Sequence, residues 1–171
     1  DQRIIDYLLG TLQPGDSLVV ARIDSGSFSE KDIICKVTFD GRPSVANQQK
    51  RRFRATIDEF VADVDGSPYT DITGGVVQAV EFLRESGAGN RSILIFSDLK
   101  EELPTGHVRD FPLEMGGCDV VALNVTKLRS DNVDPREYFD RVDNWEERVV
   151  NGGGSWKLVN DLDNLHQLVV N

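Results

Sequence analysis

Two short stretches carry oxygen-bearing side chains in places where they could do chemistry. YTDITGG (69–75) offers a threonine and an aspartate just ahead of a helical pattern, and SDLKEE (97–102) offers a serine and three carboxylates just after an apolar run. Such oxygens suit hard divalent cations. A carboxylate at a strand's carboxyl end, beside a hydroxyl from a neighbouring loop, makes part of an octahedral site. Taken alone, Thr70 reads as a loop or capping hydroxyl and Asp98 as a carboxylate bonded to loop amides. Asp71 reads as a helix-start carboxylate favoured by the macrodipole. A third stretch, RIDSGSFSE (22–30), trails serines behind Asp24 and reads as a side-chain-to-backbone turn.

These residues need elements to hold them. Ile4, Ile5, Leu8, Leu9 and Leu12 mark one face of an amphipathic helix over 1–12. SLVVARI (17–23) and IICKVTF (33–39) are apolar runs separated by a polar turn, which predicts a hairpin. A helix is expected from Pro43 to Val64, with Phe53, Ile57, Phe60, Val61 and Val64 as its buried stripe. Further helices are expected over 74–86, 134–150 and 161–170, and strands at SILIF (92–96), CDVVALNV (118–125) and GGGSWKLVN (152–160). Alternating strands and helices predict a single α/β domain over 1–171. Its expected form is a three-layer α/β/α sandwich around a mostly parallel central sheet with one antiparallel edge strand. In such sheets ligands bind at the carboxyl ends of the strands, where the first two stretches fall.

Composition bounds the function. The chain has 171 residues, 39% of them hydrophobic, enough for one domain with its own core. Its formal charge of −10 repels phosphates and anionic head groups, so nucleic acid is not an expected partner. No apolar run is long enough to insert in a membrane. Cys35 and Cys118 sit singly in apolar runs and are expected to be buried thiols. The basic run QQKRRFR (48–54) reads as a solvated helix face, His107 and His166 as surface residues, and Trp145 and Trp156 as packing residues.

The succession TDITGGVVQAVEFL, RSILIFSD, CDVVALNV resembles the von Willebrand factor A domain over nearly the whole chain. The resemblance implies a doubly wound, Rossmann-like sheet with a metal-ion-dependent adhesion site at its top. In the family that site draws on D-x-S-x-S after the first strand, a threonine in a later loop and an aspartate after the fourth strand. By position the last two are Thr70 and Asp98, the expected ligands of Mg²⁺ (or Mn²⁺ or Ca²⁺). D-x-S-x-S is missing: counted from Asp24, positions 26 and 28 are Gly26 and Phe28, while the serines fall at 25, 27 and 29. A one-residue shift in an extended segment turns side chains to the opposite face. The resemblance places the family's first strand ahead of the helix at 1–12, so the native protein is expected to carry that strand and its motif upstream. Leu99 stands where the family has glycine, and its bulk is expected to crowd the rim without removing the Asp98 carboxylate.

The expected function is a non-enzymatic interaction module that docks a protein ligand offering an acidic residue to the ion. The resemblance also points toward the cell envelope or the extracellular space. One alternative is a metal-independent scaffold with a degenerate site. Another is a metal-assisted hydrolase, for which Glu101 or Glu102 would have to serve as the base.

Overall fold

The computed structural model describes residues 2–24, 29–63 and 65–161. In chain order the elements are α1 (Gln2–Thr11), β1 (Ser17–Ala21), β2 (Ile33–Thr38), α2 (Pro43–Asp63), α3 (Ile72–Glu85), β3 (Ser92–Phe96), β4 (Asp119–Leu123), α4 (Arg136–Asn151) and β5 (Ser155–Val159). The helix expected over 161–170 falls almost wholly outside the described residues, as do His166, Val64 and residues 25–28 with Ser25 and Ser27. No described helix is long and apolar enough to cross a membrane.

The fold is mixed α/β. β3, β4 and β5 form a parallel three-stranded sheet with β4 in the middle, paired Ile93↔Val120 and Val120↔Trp156. Period-two alternation sorts its side chains. Ile93, Ile95, Val120 and Ala122 join one core with Ile72, Val76 and Val80 of α3 and Tyr138, Val142, Trp145 and Val149 of α4. Val121, Leu123 and Val159 turn the other way and pack with Leu94 and with Ile4, Tyr7 and Leu8 of α1. Helices therefore cover both faces, and β4 is buried along nearly all its length, as a central parallel strand must be.

The antiparallel pair differs from expectation. β1 and β2 pair as a hairpin, Leu18↔Val37 and Val20↔Cys35, but they form a sheet of their own rather than the edge of the three-stranded one. No ladder among the described residues joins β1 to β3, so each of these strands keeps one edge free of a strand neighbour. α1 links the two sheets from one side. Its Ile4 and Leu8 meet the parallel sheet, while Ile5, Leu9 and Leu12 pack with Leu18, Val20 and Val37 of the hairpin and with Phe53 and Ile57 of α2. The apolar positions of α1, with Leu12 just past its end, thus serve two cores, on adjacent stripes.

α2 buries Phe53 and Ile57 as expected, but Val61 is 57% exposed. At about 100° per residue, Val61 lies some 80° around the helix from Phe53, beyond the strip that the hairpin covers. Cys35 and Cys118 are both free thiols; Cys118 is fully buried, and burial pushes the Cys35 thiol up to about 11.

Candidate functional site

The loop after β3 is built from consecutive local turns. The Ser97 hydroxyl accepts the Leu99 amide at 3.0 Å and Asp98 Oδ1 accepts the Lys100 amide at 2.9 Å. Between them Leu99 takes φ +65°, a left-handed conformation uncommon for a bulky side chain. That backbone costs about 1–2 kcal/mol, and burying a leucine returns about 1.5–3 kcal/mol. Leu99 is 1% exposed and belongs to the core formed with α3 and α4. The expectation that it crowds the rim is therefore corrected: the leucine keeps a turn suited to glycine and sends its side chain inward.

Three residues at i, i+4 and i+7 spacing on α4 hold this loop from below. Arg141 Nε donates to the Asp98 carbonyl at 2.8 Å, and Trp145 Nε1 donates to the Leu99 carbonyl at 3.0 Å. Arg148 reaches the Glu101 carboxylate at 3.5 Å, donates to the Thr73 hydroxyl at 2.8 Å, and lies over the Trp145 ring. Arg141 is fixed in turn by a two-pronged pair with the buried Asp131, at 3.1 and 2.9 Å. That pairing holds the Asp131 carboxyl below its usual range.

The second loop meets the first through Thr70. Its amide donates to the Glu102 carbonyl at 2.8 Å, and the Glu102 amide returns a bond to the Thr70 carbonyl at 3.0 Å. Asp71 follows as the N-cap of α3, accepting the Gly74 amide at 2.8 Å. The helix-start role read from the sequence is thus observed. The same carboxylate is fully buried and gripped by Arg109, whose Nε and Nη2 donate at 3.0 and 2.6 Å. The Asp71 hydrogen bonds raise the Arg109 pKa, holding the guanidinium charged. A glycine is required at 74, since a Cβ there would lie 2.3 Å from Asp71 Oδ2.

Most acids on this rim are consumed by these contacts. Glu101 accepts the Thr73 amide at 2.6 Å and its hydroxyl at 2.9 Å, while Glu102 pairs with Lys100 at 2.7 Å. Both candidate bases of the hydrolase alternative are therefore engaged. Asp24 pairs with Arg22 beyond the end of β1. Thr70 and Asp98 are both partly exposed, and among the described residues the Thr70 hydroxyl, Asp98 Oδ2 and Glu102 Oε2 make no hydrogen bond. The Thr70–Glu102 bridge joins the two loops that carry them.

A hydroxyl and one carboxylate oxygen fit Mg²⁺ as part of its octahedral shell, because that ion keeps several waters and commonly takes one or two carboxylates. They do not form a complete protein cage. Among the described residues, no group of three His, Cys, Asp or Glu side chains converges on a common point. His107 is exposed on the loop that follows. Compared with known proteins, the chain matches no family model, and no curated protein or solved structure matches it.

Reading along the sequence missed Arg109, Arg141 and Arg148 at this site, and took Trp145 for packing alone. α4 does carry the signal in its Arg141, Trp145 and Arg148 spacing, one polar-tipped stripe beside an apolar one. Arg109 lies in a long loop with no periodicity to mark it.

Proposed function

We propose that this chain is a von Willebrand factor A-like, non-enzymatic interaction module whose partner docks at the Thr70 and Asp98 rim through a divalent cation. One observation carries the reading. Asp71 and Glu101 have both carboxylate oxygens bonded, whereas among the described residues the Thr70 hydroxyl and one oxygen of Asp98, like one of Glu102, make no hydrogen bond. Thr70 and Asp98 would hold the ion, and an acidic side chain of the partner would take an open position. The ion supplies charge and a fixed template; the rim supplies orientation. Matching a carboxylate to a cation in a partly desolvated crevice gives specificity, since a wrong group leaves charge unpaired.

The finer fold reading is a three-layer α/β/α sandwich in which the hairpin and the parallel sheet share one layer. Its support is α1, which packs on both sheets. Thermal unfolding with Mn²⁺ and with chelator tests the cation site, because an ion that binds only the folded state raises its stability by mass action. The parent is expected to gain stability with Mn²⁺ and Asp98→Ala to gain none; equal gains in both would reject Asp98 as a ligand.

A second reading, a scaffold that binds without metal, is favoured by the lack of a third converging ligand among the described residues. It expects partner binding to be indifferent to chelator.

A further inference from the structure

Asp98, whose Oδ2 makes no hydrogen bond among the described residues, stands on a rim loop whose conformation is unusual. Leu99, its neighbour, has φ +65°. Local turns alone would not select this backbone for a leucine. What faces the loop from below is a single stripe of α4: Arg141 on the Asp98 carbonyl at 2.8 Å, Trp145 on the Leu99 carbonyl at 3.0 Å, and Arg148 on Glu101 and Thr73. Glu101 carries the tie onward to the start of α3 through the Thr73 amide, at 2.6 Å. The carbonyls of the Asp98–Leu99 and Leu99–Lys100 peptide bonds therefore both receive a donor from α4.

We propose that this α4 stripe positions the Asp98 carboxylate, and that ligand binding at the rim is coupled to α4 through the Asp98–Leu99 backbone. The claim deepens the cation-site reading and rests on it for its consequence, though the clamp itself can be tested without metal. Arg141 is suited to the task because its far side is held by the buried Asp131, itself fixed by the Leu128 amide at 2.7 Å. A fork locked at one end presents its remaining N–H at a fixed height. Trp145 is 2% exposed and gives its only N–H to Leu99, so a shift of the loop would strand a buried donor. Coupling of this kind is reciprocal: whatever fixes Asp98 from above also fixes α4 from below. Arg141, Trp145 and Arg148 are positioning residues, since none is placed to touch the ion.

Amide hydrogen exchange decides it. Trp145→Phe removes the indole donor and keeps an aromatic ring, and Arg141→Gln removes the donor to Asp98 but also unpairs Asp131, so the first is the cleaner arm. Val142→Ala, in the same helix and core but without a bond to the loop, reports simple destabilisation. The expected result is exchange at the Leu99 and Lys100 amides faster by roughly tenfold in Trp145→Phe and Arg141→Gln, the scale of one lost hydrogen bond, relative to amides of β4. Val142→Ala should leave that ratio as in the parent. Mn²⁺ affinity, read on the same samples, should fall in the first two variants and hold in the third. Unchanged loop exchange in Trp145→Phe and Arg141→Gln would overturn the proposal, as would faster exchange with Mn²⁺ affinity equal to the parent's. A parent that binds no Mn²⁺ would end the cation reading alone, and the exchange ratio would still decide whether α4 holds the loop.

Discussion

The indole N–H of Trp145 donates to the carbonyl of Leu99 at 3.0 Å, joining the middle of α4 to the one leucine of the rim loop with left-handed backbone. Two opposing effects meet at Leu99. Glycine would relieve about 1–2 kcal/mol of backbone strain. Removing a buried leucine side chain costs about 2–5 kcal/mol. The packing term is larger. Leu99→Gly is therefore expected to lose roughly 2 kcal/mol in chemical unfolding, and a stabilised variant would show that the strain had been underweighted.

Arg109 is a cation that no local sequence pattern marks. It faces a carboxylate with 0% exposure while keeping 23% of its own side chain in solvent. Removing one partner of a buried pair costs about 3–5 kcal/mol, discounted here to about 2–4 because Arg109 is partly hydrated. Arg109→Ala should show that loss in urea unfolding. A change near zero would mean that the Asp71 carboxylate does not depend on Arg109.

Gly74→Ala tests the same cap from the other side. On helix propensity alone alanine gains about 1 kcal/mol inside a helix. Here the added methyl would enter the Asp71 carboxylate, 2.3 Å from Oδ2. Moving that group loses the cap, worth about 1 kcal/mol, and loosens the Arg109 pair. The variant is expected to unfold more easily than the parent, and a gain in stability would contradict the contact.

The Asp131 carboxyl gives a pH dependence of defined sign. Arg141 lowers its pKa in the folded state beneath the ordinary value of 3.8. Its contribution is complete above that value and is lost as pH falls through the lowered one. The gap in stability between parent and Asp131→Asn should be widest near neutrality and close in acid. A gap that persists unchanged into strong acid would show that charge is not its origin.

Local pattern made most elements legible. The 3.6 period in α1 and α4 and the apolar runs of β3 and β4 lie where the sequence places them, to within a few residues. Asp71 was readable as a cap because its partner Gly74 is three residues away. Its other partner, Arg109, is 38 residues distant and follows no period. The links from Arg141, Trp145 and Arg148 to the rim loop span 43 to 47 residues and depend on how α4 lies against the sheet. Leu99 was misjudged because backbone handedness, which aims its side chain at the core, has no mark in composition. The hairpin was readable from its two apolar runs, but which sheet it joins depends on edge pairing that neither run encodes.

The most direct measurement is a Mn²⁺ titration followed by amide resonances of the parent and of Asp98→Ala. Paramagnetic broadening is expected to begin at Thr70, Asp98 and their loop neighbours in the parent and to vanish from those positions in the variant. Broadening spread evenly over the acidic surface, or identical in both proteins, would contradict a cation site at this rim.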